Sequence, residues 1–72
     1  MKNIIHIYNL DTKRRTTNKS LIKKLLKDPQ TEECLVCYMG EDNIQSMELL
    51  TYLQGEEVKV GEDIIKIPKE VV

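Results

Sequence analysis

Apolar and polar positions in the first third of the chain predict a strand, a loop and a helix. Residues 4–10 (IIHIYNL) form a nearly continuous apolar and aromatic run, which is typical of a strand covered on both faces. Residues 11–17 (DTKRRTT) contain no apolar side chain and predict an exposed loop. Apolar residues then recur at helical spacing, with Thr17 or Asn18 as the N-cap and an end at Asp28, before Pro29.

The rest of the chain predicts a strand, a second helix and a hairpin. Residues 34–39 (CLVCYM) are apolar and stop at a glycine, as a buried strand would. Asp42 and Gln45 have the spacing of a capping box and precede an apolar stripe at Ile44, Met47, Leu50 and Leu53, which predicts a helix ending at a glycine. Residues 58–60 and 65–67 alternate with period two around a Gly-Glu-Asp turn, which is typical of a β-hairpin.

These elements follow one another in the order β-α-β-α-β-β. Two consecutive strand–helix units predict parallel neighbouring strands joined by right-handed crossovers, and the hairpin adds an antiparallel part. The predicted fold class is therefore α/β (α+β), with two helices packed on a mixed four-stranded sheet. With 72 residues, the chain is expected to form a single domain over 1–72.

The size and composition of the chain favour a cytoplasmic protein with a partner subunit. A domain of this length buries only about 60% of the surface of its unfolded chain, so additional stabilisation is common. Two cysteines are few for a disulfide scaffold, and the chain opens on a strand-like segment instead of a secretion signal. The apolar runs are far shorter than the ~20 residues that span a bilayer. We therefore expect a homodimer that does not insert into membranes.

Charge is segregated along the sequence. Residues 1–27 hold eight basic side chains and one acidic one, a net charge of +7, whereas residues 28–72 hold three basic and eleven acidic side chains, a net charge of −8. The basic side chains concentrate between residues 13 and 27, at Lys13, Arg14, Arg15, Lys19, Lys23, Lys24 and Lys27. A concentrated basic segment on a diffusely acidic chain indicates a docking surface.

None of the residues with chemical potential forms a recognisable catalytic or metal site. Cys34 and Cys37 have the CxxC spacing, but on a strand they point to opposite faces about 10 Å apart, beyond disulfide reach. We expect both thiols to be inert and to pack in the core. His6 is the only histidine and lies in a predicted strand, which favours a structural role. Acidic pairs fall at turns and helix starts, where capping explains them. We therefore predict no enzyme activity, no cofactor and no metal.

Three interpretations of the basic segment remain open. It can be a solvated helix face, a protein interface, or a site for nucleic acid or another phosphate ligand, because arginine side chains fork onto phosphate oxygens. The segment contains no aromatic residue on which bases could stack, and the sequence pI of about 5.8 is acidic for a nucleic-acid-binding domain.

The C-terminal part resembles the core of the SepF cell-division family. The resemblance rests on residues 47–55 (MELLTYLQG), 59–65 (KVGEDII) and 68–72 (PKEVV). It implies a β-α-β-α-β-β order, a dimeric core and recruitment of the division polymer FtsZ. A further strand that SepF carries between the first two segments is missing here. The family's membrane-binding N-terminal helix has no counterpart either, so the resemblance does not imply membrane anchoring.

The sequence thus predicts a small, non-enzymatic protein–protein interaction or regulatory module that is homodimeric. The basic loop and helix would dock on an acidic surface of a partner protein or of a second copy. A phage or mobile-element regulator or inhibitor fits the size and the lack of catalytic motifs. The alternatives are a nucleic-acid or phosphate-ligand binder that uses Lys13–Lys27, and a SepF-like cell-division scaffold.

Overall fold

A computed structural model describes residues 1–28 and 33–69, and within them the chain forms one mixed sheet with a single α-helix. The elements in chain order are β1 (Lys2–Asn9), β2 (Arg14–Thr16), α1 (Lys19–Lys27), β3 (Cys34–Met39), β4 (Gln45–Leu49), a 3-10 helix (Leu50–Leu53), β5 (Glu57–Val60) and β6 (Asp63–Lys66). The sheet has the order β4-β3-β1-β5-β6. The short strand β2 pairs with β1 as well, at residues 7–9.

The prediction of two helices on a four-stranded sheet is wrong, because the second predicted helix is a strand and a 3-10 turn. Asn43 adopts a left-handed conformation with φ 61°, and the backbone N–H of Gly40 donates to the carbonyl of Ile44 at 3.1 Å. The Asp42 carboxylate accepts from the backbone N–H of Ile44 at 3.1 Å, so it closes this turn and caps no helix. The following residues then pair antiparallel with β3. The β-α-β-α-β-β order is therefore replaced by β-β-α-β-β-β-β.

The predicted loop at residues 11–17 contains a strand, and this strand changes the direction of the strands that follow. The Asn9 side-chain oxygen accepts from the backbone N–H groups of Asp11 and Thr12, at 2.9 and 3.0 Å. Lys13 follows with φ 57°, and the chain returns along β1 as β2. After this reversal β3 runs antiparallel to β1, where the sequence predicted a parallel neighbour. Among the described strands, β1 and β5 form the parallel pair.

The first helix and the last hairpin form where the sequence predicts them. Asn18 caps α1, because its side chain accepts from the backbone N–H of Leu21 at 3.1 Å. Ile22 and Leu26 face the core from this helix. The β5–β6 hairpin turns at Gly61, whose φ of 62° suits glycine. Pro29 and residues 70–72 lie outside the described residues.

The two faces of the sheet differ in what covers them. One face packs against α1 and the 3-10 helix and forms the core with the residues Ile7, Ile22, Leu26, Cys34, Val36, Leu50, Leu53, Val58, Val60, Ile65 and Ile67. No described element covers the opposite face, which we call the open face. The strand pairings place three cross-strand rows on it, made of Tyr8–Leu35–Leu49, His6–Cys37–Met47 and Asn3–Met39–Gln45. The expectation that β1 is covered on both faces is therefore wrong.

Candidate docking surface

A groove of about 370 Å³ lies between β2 and α1 and has an apolar floor. Ile7, Leu21 and Leu25 line it from β1 and from the helix, and Thr16 lines it from β2. Leu21 is 45% exposed, although its helical spacing would place it with the core leucines. An exposed leucine beside a groove offers a partner apolar contact area without any change of the fold.

Cations border this groove. Arg14 and Arg15 line it from β2, and both are exposed. Lys24 is exposed on α1 three residues after Leu21, so the two side chains lie on the same side of the helix. Within residues 1–28 and 33–69, none of these three cations makes an ion pair. The groove therefore combines an apolar floor with positive charge that is available to a partner.

The other predicted docking residues lie on the far side of the helix or before β2. Lys23 donates to the Asp63 carboxylate at the start of β6, and this bond holds the pKa of Asp63 below its ordinary value of 3.8. Lys27 lowers the same pKa further through its charge. Lys19 lies against the β5–β6 turn, where a Cβ on Gly61 would come within 3.2 Å of its Cδ. Lys13 forms the turn that precedes β2.

The seven cations predicted as one docking surface therefore belong to two regions. Arg14 and Arg15 border the groove, with Lys13 in the turn beside them and Lys24 on the same side of α1 as Leu21. The other three lysines lie on the side of α1 that faces β6. The sequence did not indicate the apolar floor, because Leu21 and Leu25 have the same helical spacing as the core residues beside them. The groove also depends on β2, a strand that the polar composition of residues 11–17 did not predict.

An acidic surface lies at the opposite end of β1. It surrounds a depression of about 560 Å³ lined by Glu41, Asp42, Ile44, Glu56 and Glu57, among others. Ile44 is 60% exposed there. Glu41 pairs with the amino group of Met1, which lowers the pKa of its carboxyl group. A bond of 2.7 Å from the Lys2 ammonium group to Glu56 raises the pKa of Lys2. The surface remains acidic, because Asp42 and Glu57 make no ion pair with the described residues.

The residues that the sequence offered for chemistry lie away from the groove. Cys34 and Cys37 are both buried thiols that are not joined in a disulfide, and they point to opposite faces of β3. His6 is half-buried on the open face, and burial lowers its pKa, with a smaller contribution from the charge of Arg15. Among the described residues, no group of three or more His, Cys, Asp and Glu side chains is placed to hold a metal ion.

Comparisons with known proteins provide no relative from which a function could be inferred. No protein-family model matches the chain, and no curated protein or solved structure matches it. The helix in the described part of the chain is too short and too polar to cross a membrane. The resemblance to SepF stays a prediction. The segment that carries much of it, residues 47–55, contains the end of β4 and the 3-10 helix.

Proposed function

We propose that this chain is a protein-interaction module that forms a homodimer, in which the basic groove of each copy binds the acidic surface of the other. The observation that carries this proposal is that the two surfaces lie at opposite ends of one strand. β2 pairs with β1 at Ile7–Asn9, whereas Lys2 lines the acidic depression at the other end.

The placement of charge favours two antiparallel copies. β1 has eight residues, so its ends are about 25 Å apart. Two copies that lie side by side in opposite directions bring each basic end next to the acidic end of the other. Such a pair has two-fold symmetry, which is the commonest arrangement of homo-oligomers. It also satisfies both surfaces at once, so no further copies are recruited.

Apolar side chains at both ends supply the less salt-dependent part of the contact. Leu21 is 45% exposed beside the cations, and Ile44 is 60% exposed beside the acids. Each finds an apolar neighbour when the groove of one copy meets the depression of the other. Charged residues at the rim of an interface increase the association rate and select the partner, whereas buried apolar contacts supply most of the affinity.

Charge reversal with mixing tests this proposal. One variant carries Arg14→Glu with Arg15→Glu, and the other carries Glu41→Lys with Glu57→Lys. We expect sedimentation analysis to show that each variant alone is a monomer, because like charges then face each other. The mixture should form a dimer, because each reversed end meets an end of opposite charge.

Lys27→Glu is the matched control, since it reverses a helix cation on the side away from the groove and should leave the dimer intact. A wild-type protein that is monomeric at low salt contradicts the homodimer. The alternative, nucleic-acid binding, predicts a different result. Labelled duplex DNA would then bind the wild-type protein with a log–log salt slope of several units, and the mixture of variants would not restore this binding.

A further inference from the structure

Three side chains with soft donor atoms stand next to one another on the open face. His6 of β1 is paired with Cys37 of β3, and Cys37 is paired in turn with Met47 of β4. Directly opposed residues in antiparallel strands have Cβ atoms only about 4.5–5.5 Å apart and point to the same face. An imidazole, a thiol and a thioether therefore form one continuous row, with the thiol in the middle.

The row opens onto its own depression. The three side chains line a cavity of about 390 Å³ together with Gln45 and Ser46. Cys37 is nearly buried at its base, His6 is half-buried, and Met47 is 52% exposed at its rim. The cavity lies on the face opposite to α1, so it is separate from the groove between β2 and the helix.

We propose that His6, Cys37 and Met47 form a binding site for a monovalent copper ion. Thiolate and thioether sulfur are soft ligands that favour Cu(I), and imidazole is a good copper ligand as well. Cu(I) accepts two or three ligands, which matches the number that the row supplies. Zinc is a poorer fit, because structural zinc sites have four ligands drawn from Cys, His and carboxylates.

The surroundings of Cys37 suit a coordinated thiolate. The Gln45 side-chain amide lies 3.2 Å from the Cys37 sulfur and donates to it. A hydrogen bond to a metal-bound sulfur fixes its orientation and stabilises its negative charge. Arg15 of β2 is paired with Tyr8 of β1, and its positive charge contributes to lowering the pKa of His6. When copper binds, the Cys37 thiol releases its proton to the solvent as the copper–sulfur bond forms, and no electron is transferred.

No sequence pattern indicates this site, because its three members are far apart in the chain and each belongs to a different strand. In the sequence, the CxxC spacing instead pairs Cys37 with Cys34. The structure places Cys34 in the core on the other face of β3. The expectation that both thiols are inert then applies to Cys34 alone.

An anaerobic titration with Cu(I), buffered by a coloured Cu(I) chelator, tests the site. We expect the wild-type protein to withdraw one copper ion per chain from the chelator. Cys37→Ser should abolish this withdrawal. Met47→Leu should weaken binding by at least about tenfold, and Gln45→Leu by about tenfold through the loss of the hydrogen bond to sulfur. X-ray absorption of the complex should show one nitrogen and two sulfur neighbours.

Two matched control variants test whether copper binding depends on this particular methionine and this particular cysteine. Met39→Leu removes a methionine from the same face that does not line the cavity, and Cys34→Ala removes the other thiol; neither should change the affinity. Met47 is exposed, so Met47→Leu leaves the fold intact, as circular dichroism can verify. Equal copper affinity in wild type and Met47→Leu would overturn the site. Loss of copper binding in a folded Cys34→Ala variant would overturn it as well.

Discussion

The two faces of the sheet differ in burial and in the kinds of side chain that they carry. On the face under α1, strand residues such as Val36 and Val58 are completely buried and meet Ile22 and Leu26 of the helix. On the open face, Met47 and Ile64 remain more than half exposed, and a histidine and a cysteine take central positions. Antiparallel sheets commonly bury one face and leave the other to solvent. Here the open face is not purely polar, because Met47 and Ile64 are exposed on it.

This difference predicts that folding stability and the proposed binding depend on different faces of the sheet. The helix-covered face supplies nearly all of the contiguous buried apolar surface, so substitutions there should act on folding. The open face and the groove beside β2 also hold exposed side chains, such as Met47 and Leu21, and substitutions of these should act on the proposed binding. Substitutions that compare the two faces therefore test whether folding depends on the covered face and the proposed binding on the open face and the groove.

The largest expected effect is on the covered face. Leu26 is fully buried beneath the sheet, so Leu26→Ala should lower the free energy of unfolding by about 2–5 kcal/mol through lost burial and the cavity left behind. Ile64 is 58% exposed on the open face, and Ile64→Ala should change it by no more than about 0.5 kcal/mol. Urea denaturation at matched concentration measures both. Similar losses in the two variants would mean that the open face is covered in solution.

The next effect concerns the turn that creates the open-face rows. Asn43 has φ 61°, a conformation that Asn tolerates and Ala does not, so Asn43→Ala should destabilise the protein by about 1 kcal/mol. Asn43→Gly should preserve the stability. If residues 42–54 formed a helix instead, Ala would be the better residue and would stabilise the protein by about 0.5 kcal/mol. The sign of the Asn43→Ala effect in urea denaturation therefore decides between the strand β4 and the helix.

The same segment explains what the sequence could and could not predict. For α1, the N-cap Asn18, the apolar spacing and Pro29 all agree, and the helix forms at Lys19–Lys27. For residues 42–54, the stripe and the capping box also agree, yet pairing with β3 prevails. Met47 and Leu50 are three residues apart and would share one side of a helix, whereas Met47 and Leu49 are two apart and share one face of a strand. Local pattern alone cannot rank these alternatives, because the deciding contacts come from a neighbouring strand.

The candidate sites show the same contrast between what local sequence pattern predicts and what tertiary contacts decide. Residue composition identified the seven cations, but the fold divides them between the groove and the side of α1 that faces β6. It did not locate the leucine floor of the groove, which depends on how β2 returns along β1. It did not indicate the three residues of the proposed copper site either, since cross-strand register alone brings His6, Cys37 and Met47 together.

The smallest expected effect lies where α1 meets the edge of the covered face. The ion pair with Lys23 keeps the pKa of Asp63 below 3.8, so Lys23→Gln should move that pKa up towards 3.8. Lys24 has no ion pair among the described residues, and Lys24→Gln should leave the pKa of Asp63 unchanged. NMR titration of the Asp63 carboxyl carbon measures both shifts.

The sign of the linked stability effect follows from the direction of this shift. A carboxyl group whose pKa is lower in the folded state stabilises that state above its unfolded pKa, and it loses this contribution as the pH falls through the folded pKa. The wild type should therefore lose the contribution of Asp63 only below pH 3.8, and Lys23→Gln should lack most of it at neutral pH. Because the pair is exposed, the difference should be small and should shrink in high salt. A difference that persists in high salt would instead indicate that Lys23 contributes to covering the sheet through its aliphatic stem, which extends the covered face to its edge.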